Sequence, residues 1–170
     1  SFVPDVFFFD RITPANILLA EAFRNRGSLV YFEPSVRVVD NKFLQCVALS
    51  HIVKFADQRI QDTSFTQQHT DKLFIQTMGA KGLQYSLFGQ PWQQLPGTPC
   101  PNVVDSSGAG DWTTAMFLQQ LCDKQTFLTL TTAQLNTMLT LAQKVASMSC
   151  NYESARGLML DKKFEELKRL

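Results

Sequence analysis

The chain has 170 residues, a length typical of a single domain. Hydrophobic residues make up 45% of it and charged residues 18%, which excludes a disordered tail and is typical of a globular protein with a real core. Lys and Arg number 16 and Asp and Glu number 15, so the net charge of +1 provides no basic excess for binding a nucleic-acid backbone. No apolar run approaches the roughly 20 residues of a membrane-spanning helix.

Cysteine usage indicates a reducing compartment. Cys46, Cys100, Cys122 and Cys150 form no CxxC pair, and two histidines are too few to favour zinc binding. Free thiols in a cytoplasmic protein are the expected state. No charged segment followed by an apolar core marks a signal peptide. The opening segment, SFVPDVFFFD, has no initiator Met and is interpreted as an interior strand of a longer polypeptide.

Strand and helix patterns alternate in the first half of the chain. Strands are predicted at residues 6–9, 28–32, 51–54 and 73–77, and the first of them is expected to be buried on both faces. The alternation predicts a parallel sheet with right-handed crossovers.

Two helices are predicted between these strands. Thr13 caps the first, Pro14 begins it and Gly27 stops it. Asp40 caps the second, shorter helix. The predicted apolar face of the first helix consists of Leu18, Leu19, Ala22 and Phe23.

The second half changes character. Residues 83–88 follow a glycine turn and precede a proline-rich stretch, which predicts antiparallel strands at a sheet edge. Helices are expected after residue 108, with Ala115, Leu118 and Cys122 on one face, and from Thr132 onward. The long helix has a capping box formed by Thr131 and Gln134, and a last short helix contains Phe164 and Leu167. Its solvated face is expected to carry Lys162, Lys163, Lys168 and Arg169.

The segment DSSGAGD, residues 105–111, is the most informative stretch. It lies between a strand predicted to end at Val104 and a helix predicted to begin near Ala109. Its glycines allow the backbone to approach a ligand closely, and helix N-termini bind anions through free N–H groups. Asp111, in the first turn, can accept a proton from a hydroxyl group. The pattern therefore indicates transfer of a phosphoryl group.

A plainer interpretation is equally open on spacing alone. Gly108 and Gly110 would only shape a tight turn, and Asp111 would complement the helix dipole. No GxxxxGK[ST] motif occurs, which excludes a P-loop. Thr113 stands where a dinucleotide-binding GxGxxG motif needs its third glycine.

Residues 105–111 resemble the D-[TS]-[TS]-G-A-G-D signature of the ribokinase-like carbohydrate kinases. Four more segments match in order: residues 32–37 resemble the D-P-N-x-R segment, 54–57 a lysine-led stretch, 77–82 the T-x-G-x-x-G turn and 151–157 a Gly-Ala-rich loop. The resemblance implies an α/β fold, a ribokinase-like three-layer sandwich with a mostly parallel central sheet, helices on both faces and an antiparallel edge. Residues 1–170 would form the C-terminal part of a single kinase domain, without its N-terminal sugar-binding and lid portion.

The resemblance also implies catalytic roles. Asp111 would be the base that deprotonates a sugar hydroxyl. The backbone amides of Gly108, Ala109 and Gly110 would form the anion hole for the transferred phosphate. Asp105 would help to build a site for a monovalent cation, K⁺.

The nucleotide side is implied by the same resemblance. Lys54, Thr77, Gly79, Gly82 and Asn151 would bind the cofactor, ATP, which would bring Mg²⁺ through its phosphates and water. The expected partners are a small sugar or nucleoside and, through the missing lid region, a second copy of the chain. Neither nucleic acid nor a membrane is expected as a partner.

Some positions depart from the family pattern. Where the family often has N-x-x-E, this sequence has Ala56 and Arg59, and Trp112 follows the predicted base. These departures motivate an alternative, a catalytically weak or inactive sugar- or nucleotide-sensing protein that keeps the kinase fold. Two other side chains have open roles: Glu33 either reaches the active cleft or pairs with Arg37. Trp92 either packs over the hairpin or, less expectedly, stacks on adenine.

Overall fold

The structure, a computed structural model, describes residues 2–161 and 164–167. Six strands in these residues form one sheet, in the order β1-β2-β3-β4-β5-β6. They are β1 (Val6–Phe9), β2 (Leu29–Phe32), β3 (Ile52–Ala56), β4 (Leu73–Thr77), β5 (Gly82–Leu87) and β6 (Gln93–Pro96). Strands β1 to β4 are parallel and β5 is antiparallel to β4, so the predicted α/β fold with an antiparallel edge is confirmed.

Helices follow the strands and dominate the second half. They are α1 (Pro14–Asn25), α2 (Asn41–Leu49), α3 (Ala109–Leu121), α4 (Lys124–Leu128), α5 (Thr132–Ser149), α6 (Gly157–Asp161) and α7 (Phe164–Leu167). Short 3₁₀ turns occur at Ser64–Gln68 and Gly79–Lys81. The solvated face predicted for the last helix involves residues 162, 163, 168 and 169, which lie outside the described residues. Within the described part of the chain, no helix is both long and apolar enough to cross a membrane.

The predicted helix starts are confirmed by their caps. The side chains of Thr13 and Asp40 accept hydrogen bonds from backbone amides in the first turns of α1 and α2. Thr131 and Gln134 form the predicted capping box of α5, each side chain bonding to the other's backbone N–H. Local sequence chemistry thus determines where these three helices begin.

The chain divides into two compact units. Unit 1 comprises the described residues up to 94 together with 122–129, and unit 2 comprises residues 95–121 and the described residues from 130 onward. Unit 1 contains β1 to β5, α1, α2 and α4, whereas unit 2 contains α3 and α5 to α7. The prediction that residues 1–170 belong to one kinase domain is not tested by this division.

The core of unit 1 is built from phenylalanines. Phe9 stacks on Phe32 with ring centroids 4.7 Å apart, and Phe43 of α2 packs on Phe32 at 5.7 Å. Phe65 then bridges Phe43 and Phe74 at 5.2 and 5.9 Å with edge-to-face geometry. Such ring pairs are favoured by the aromatic quadrupole in addition to the area they bury. These rings form a continuous layer in the hydrophobic core of unit 1.

Two expectations for the beginning of the chain are wrong. Strand β1 is an edge strand that pairs with β2, and Phe8 is 44% exposed, so β1 is not buried on both faces. In α1, Ala20 is fully buried and Ile17 packs against the core, whereas Leu18 and Leu19 are 66% and 43% exposed. The inward face of α1 is therefore turned away from the leucine pair, because the face that packs on α2, β1 and β2 is a different one. Of the predicted face, only Phe23 packs inward, with its ring centroid 5.1 Å from that of Phe7.

Unit 2 is organised by the packing of α3 against α5. Met116 and Phe117 of α3 are buried, whereas Ala115 and Cys122, placed on the apolar face by the sequence, are exposed. Cys122 follows the end of α3 with a φ of 61°. The prediction for this helix is wrong because the larger side chains of Trp112, Met116 and Phe117 are the ones that its buried face carries. In α5, by contrast, the apolar residues Leu135, Leu139 and Ala142 are fully buried.

One histidine is built into the sheet of unit 1. His51 is 6% exposed, its Nδ1 accepts a hydrogen bond from the Val30 amide at 2.9 Å, and its own amide donates to the Val30 carbonyl. Its ring meets Phe127 at 6.0 Å. Burial, reinforced by the charge of Arg24, lowers the pKa of His51 to about 3. The imidazole is therefore neutral at neutral pH and acts as a hydrogen-bond acceptor.

Because its imidazole is buried in the neutral form, we expect His51 to make the folded protein less stable in mild acid. An unfolded histidine takes up a proton near pH 6.5, whereas folded His51 does so only near pH 3. Stability contributed by neutral His51 is complete above pH 6.5 and falls as the pH drops, by up to about 1.4 kcal/mol per pH unit, until pH 3. Urea unfolding at several pH values measures this slope. His51→Asn, which keeps an acceptor near Nδ1 without its titration, should flatten it.

The matched control is His69→Asn. His69 is less buried and accepts no amide of the sheet, so most of the slope should remain in that variant. Equal slopes in the wild-type protein and the His51→Asn variant would contradict the assignment.

Candidate functional site

The segment before the glycine loop is not a strand. Val103 and Val104 are exposed and irregular, so the prediction of a strand ending at Val104 is wrong. The prolines that interrupt residues 96–101 remove the amide donors that a strand needs. The amides of Val104 and Asp105 instead donate to the carbonyl of Cys150, at 2.8 and 3.2 Å. The loop is thereby attached to the end of α5.

Asp105 ties the loop together through its carboxylate. Oδ1 accepts a hydrogen bond from the Ser107 amide at 2.8 Å, and Oδ2 accepts one from the Ser154 amide at 3.0 Å. The bonds from Ser107, and then that from Ser154, hold the pKa of Asp105 below its usual range. The carboxylate therefore remains charged at neutral pH and joins the glycine loop to the segment that follows α5.

The backbone of Gly108 lies directly against another segment of the protein, whereas the approach to a ligand expected from the sequence stays a prediction. Its φ of +81° is left-handed, and a Cβ on it would lie 2.8 Å from the Cα of Ala155. The indole Nε1 of Trp112 donates to the carbonyl of the same Ala155 at 3.0 Å. The buried side chain of Trp112 thus connects α3 to the segment after α5. This structural contact explains why a large residue follows the predicted base.

The N-terminus of α3 presents free amides beside a carboxylate. The amide of Ala109 donates to Ser106 O at 3.2 Å, and that of Trp112 to Gly108 O at 2.9 Å. In the described part of the chain, the amides of Gly108, Gly110 and Asp111 donate to no protein acceptor. Asp111 is exposed in the same helical turn. A single turn therefore offers N–H donors for an anion and an acceptor for a proton.

Asn151 occupies the C-terminal end of α5. Its Nδ2 donates to Met148 O at 3.1 Å, and its Oδ1 accepts a weak bond from the Cys100 thiol at 3.7 Å. These contacts stabilise the helix end. Its role in binding the cofactor stays a prediction.

In unit 1, three predicted nucleotide-binding residues share one turn. Thr77 ends β4, Gly79 lies in the 3₁₀ turn with a φ of +57°, and Gly82 begins β5 with a φ of +98°. The Met78 amide closes the turn on the Gly82 carbonyl at 2.8 Å. The Thr77 carbonyl accepts the Asp57 amide at 2.9 Å, which fixes the turn to the end of β3.

Lys54 is engaged in a buried ion pair. Its side chain is 3% exposed, and its Nζ donates to Oε1 of Glu33, whose side chain is 18% exposed. Of the two roles left open for Glu33, an ion pair with Arg37 is not found among the described residues, where Lys54 is its partner. Parallel pairing of β2 with β3 brings Glu33 and Lys54 side by side, which spacing along the chain could not reveal. Nucleotide binding by Lys54 stays a prediction.

The site residues predicted from sequence fall in both units. Lys54, Thr77, Gly79 and Gly82 lie in unit 1, and the others lie in unit 2. Within unit 2, the structure brings the glycine loop, the start of α3 and the segment 151–157 together. Sequence reasoning gave no role to Ser154 and Ala155, which contact the loop directly. The sequence signal that could have found them is the resemblance of residues 151–157 to a Gly-Ala-rich loop, in which a Cβ on Gly157 would lie 2.6 Å from that of Tyr152.

The described residues provide no dedicated metal centre. No group of three or more His, Cys, Asp or Glu side chains among them is arranged to hold a metal ion. Asp105 already accepts amides on both carboxylate oxygens. Ala56 and Arg59 offer no oxygen ligand at the ends of their side chains. The described residues therefore offer no side-chain cage for Mg²⁺, and the monovalent-cation site expected at Asp105 stays a prediction.

Comparison with protein families gives one match. The family model described as pfkB family carbohydrate kinase matches residues 14–163. A search of curated proteins finds no match.

Solved structures share the fold. A fructokinase double mutant from Vibrio cholerae O395, bound to fructose, ADP and potassium, superposes with a TM-score of 0.75 at 20% identity, over 91% of this chain and 57% of that one. Ribokinase from Giardia lamblia superposes with a TM-score of 0.75 at 14% identity, over 97% of this chain and 59% of that one. Arabidopsis thaliana ribokinase with ribose and ATP superposes with a TM-score of 0.66 at 19% identity, over 94% of this chain and 56% of that one. The chain thus spans little more than half the length of these proteins.

Replacing Gly108 by Ala should disrupt the loop. The variant carries both the strain of a left-handed backbone and a clash with Ala155, so we expect the free energy of unfolding to fall by more than about 2 kcal/mol. Gly27→Ala is the matched control, because Gly27 has a φ of +99° but no atom within 4 Å of an added Cβ. That variant should lose about 1 kcal/mol. Equal losses in urea unfolding would show that the close approach to Ala155 is unimportant.

The buried ion pair of Glu33 and Lys54 predicts that removing one of its charges lowers stability more than removing both. Glu33→Gln leaves a buried ammonium without its counter-charge and should cost about 3 kcal/mol of stability. Lys54→Met combined with Glu33→Gln removes both charges and should cost less than the single change. The exposed pair of Asp10 and Arg11 is the control, since Asp10→Asn should cost under about 1 kcal/mol. Chemical denaturation measures all three variants against the wild-type protein, and a double variant less stable than Glu33→Gln would refute the buried pair.

Proposed function

Since the chain belongs to the pfkB family of carbohydrate kinases, we propose that it forms the catalytic, nucleotide-binding part of an ATP-dependent kinase. The acceptor would be a hydroxyl group of a sugar or a nucleoside. The observation that supports this most is the first turn of α3, where free amides and the exposed carboxylate of Asp111 lie together. Phosphoryl transfer needs this combination, because positioning and charge stabilisation supply most of the catalysis.

The proposed reaction assigns one role to each group. Asp111 takes the proton of the acceptor hydroxyl, whose oxygen then forms a bond to the γ-phosphorus of ATP. The bond from that phosphorus to the β-phosphate oxygen breaks, and ADP leaves. The amides of Gly108 and Gly110, together with the helix dipole, stabilise the charge on the transferred group. Ala109, whose amide bonds to Ser106, contributes a third amide only if that bond opens.

In the proposed enzyme the nucleotide would lie along the turn of Thr77, Gly79 and Gly82 in unit 1. The roles proposed for Lys54 and Asn151 rest on the resemblance alone. Two solved relatives of the same fold hold ATP or ADP, which supports a nucleotide donor. Mg²⁺, which neutralises phosphate charge during transfer, would be held by the nucleotide's own oxygens and by water rather than by this chain. No step is assigned to K⁺.

The proposed partners are small molecules, together with a second copy of the chain through the portion of the fold that lies outside these residues. A sensing protein that keeps the fold without turnover is the second candidate. The observation that favours it is the presence of Ala56 and Arg59 in place of polar groups that organise Mg²⁺ in the family. Trp112 no longer favours it, because the bond to Ala155 explains that residue structurally.

Asp111→Asn separates the two candidates. In a kinase, loss of the base should lower kcat about 100-fold or more, whereas ATP affinity should change little because the amides remain. The assay is ATP-dependent phosphorylation of a panel of sugars and nucleosides by the full-length protein, with nucleotide binding measured separately by calorimetry. Glu21→Gln, at an exposed carboxylate of α1, is the control and should leave both quantities unchanged. A wild-type protein that binds ATP but phosphorylates no compound of the panel would instead be a sensor.

A further inference from the structure

Unit 1 contains a cavity that the proposed reaction does not use. Its volume is about 280 Å³, and it lies between the 3₁₀ turn at Ser64–Gln68 and the connection from β5 to β6. It is placed near the start of β4, whereas the predicted nucleotide turn follows the end of β4. A five-residue strand separates the two by roughly 16 Å. The cavity is therefore distinct from the nucleotide turn.

The walls of the cavity are held in place by backbone packing. Gly89 lines it with a φ of +74°, and a Cβ there would lie 2.9 Å from that of Thr70, another lining residue. The two segments can meet this closely because residue 89 lacks a side chain. The cavity is thus pre-formed rather than a gap between loose loops.

Two buried hydroxyl groups line the cavity, and each already donates its proton to a backbone carbonyl. Thr66, 8% exposed, donates its hydroxyl to the Thr63 carbonyl at 2.8 Å. Ser86, 7% exposed, donates to the Gln90 carbonyl at 2.7 Å. Each oxygen therefore keeps lone pairs that can accept a hydrogen bond from a ligand.

Other polar groups of the same cavity have no bond within the protein. Among the described residues, the hydroxyls of Thr63 and Thr70, the amide of Gln67 and the indole N–H of Trp92 make no protein hydrogen bond. They supply donors as well as acceptors around one hollow. The indole of Trp92 also packs against the hydrophobic core, which holds its ring as a fixed apolar wall.

No lining residue carries a charge, which limits the ligand. A phosphate or a nucleotide would lose its hydration without gaining a counter-charge, and so would an ammonium group. Hydroxyl and amide groups beside an aromatic face match a ring that is apolar on one side and bears hydroxyls at its edge. We propose that this cavity is a second binding site for a neutral monosaccharide or a polyol of similar size.

The experiment observes Trp92 directly. Protein labelled with ¹⁵N at the indole nitrogens is titrated with D-fructose, D-ribose, D-glucose, glycerol and adenosine, and the Trp92 resonance is assigned with Trp92→Phe. We expect a saturable shift of the Trp92 resonance with at least one sugar, whereas the Trp112 resonance of α3 reports any separate binding in unit 2. Absence of a saturable Trp92 shift with every sugar and with glycerol, up to the limit of solubility, would overturn the proposal.

Two exposed positions test the site without endangering the fold. Gln67→Leu and Thr70→Val each remove one cavity group and should weaken sugar binding at Trp92 about tenfold. Gln68→Leu is the matched control, because Gln68 is the exposed neighbour of Gln67 but does not line the cavity. Equal affinities in all three variants would overturn the proposal, and so would a Trp92 shift produced by adenosine alone, which would assign the cavity to a nucleobase.

Discussion

The carboxylate of Asp105 and the carbonyl of Cys150 together provide the constraint on which the candidate site depends. They accept hydrogen bonds from the backbone amides of Val104, Asp105, Ser107 and Ser154. These bonds hold in place a glycine-rich loop that has no regular structure of its own. A charged acceptor of two amides is stronger than a neutral one, and it fixes the path of the chain into α3. With the loop held in this way, the amides of Gly108, Gly110 and Asp111 remain available at the helix N-terminus.

The same loop shows how one residue can serve both structure and chemistry. Gly108 is needed because Ala155 lies against its backbone, and its left-handed φ turns the chain into the first turn of α3. Trp112 then bonds to the carbonyl of Ala155 from the other side of that turn. The segment 154–155 therefore supports the start of α3 as a wall that fixes its position. Because this wall is backbone and small side chains, it leaves the exposed face of Asp111 open to solvent.

Unit 1 relies on a different principle, the pairing of polar groups inside an aromatic core. Neutral His51 accepts the hydrogen bond of the Val30 amide, and the charge of Lys54 is balanced by that of Glu33. Both arrangements satisfy groups that would otherwise be costly to bury. The phenylalanine layer around Phe32 and Phe65 supplies the stability that allows such polar groups to be kept in the sheet.

The sequence alone determined the elements whose signal is local. The cap at Thr13, the capping box of Thr131 and Gln134 and the antiparallel turn after Thr77 depend on residues within a few positions of one another, and each is as predicted. The segment 105–111 likewise located a helix N-terminus with glycines and a carboxylate.

Only the tertiary structure decided which faces are buried and which polar groups meet. The inward face of α1, the exposed valines before Asp105 and the partners of Glu33 and Trp112 all depend on contacts between residues far apart in the chain. Leu18 and Leu19 are as apolar as Ile17, so composition cannot say which side of the helix a sheet will cover. The bond from Trp112 to Ala155 spans 43 positions, a separation over which sequence patterns carry no information about distance.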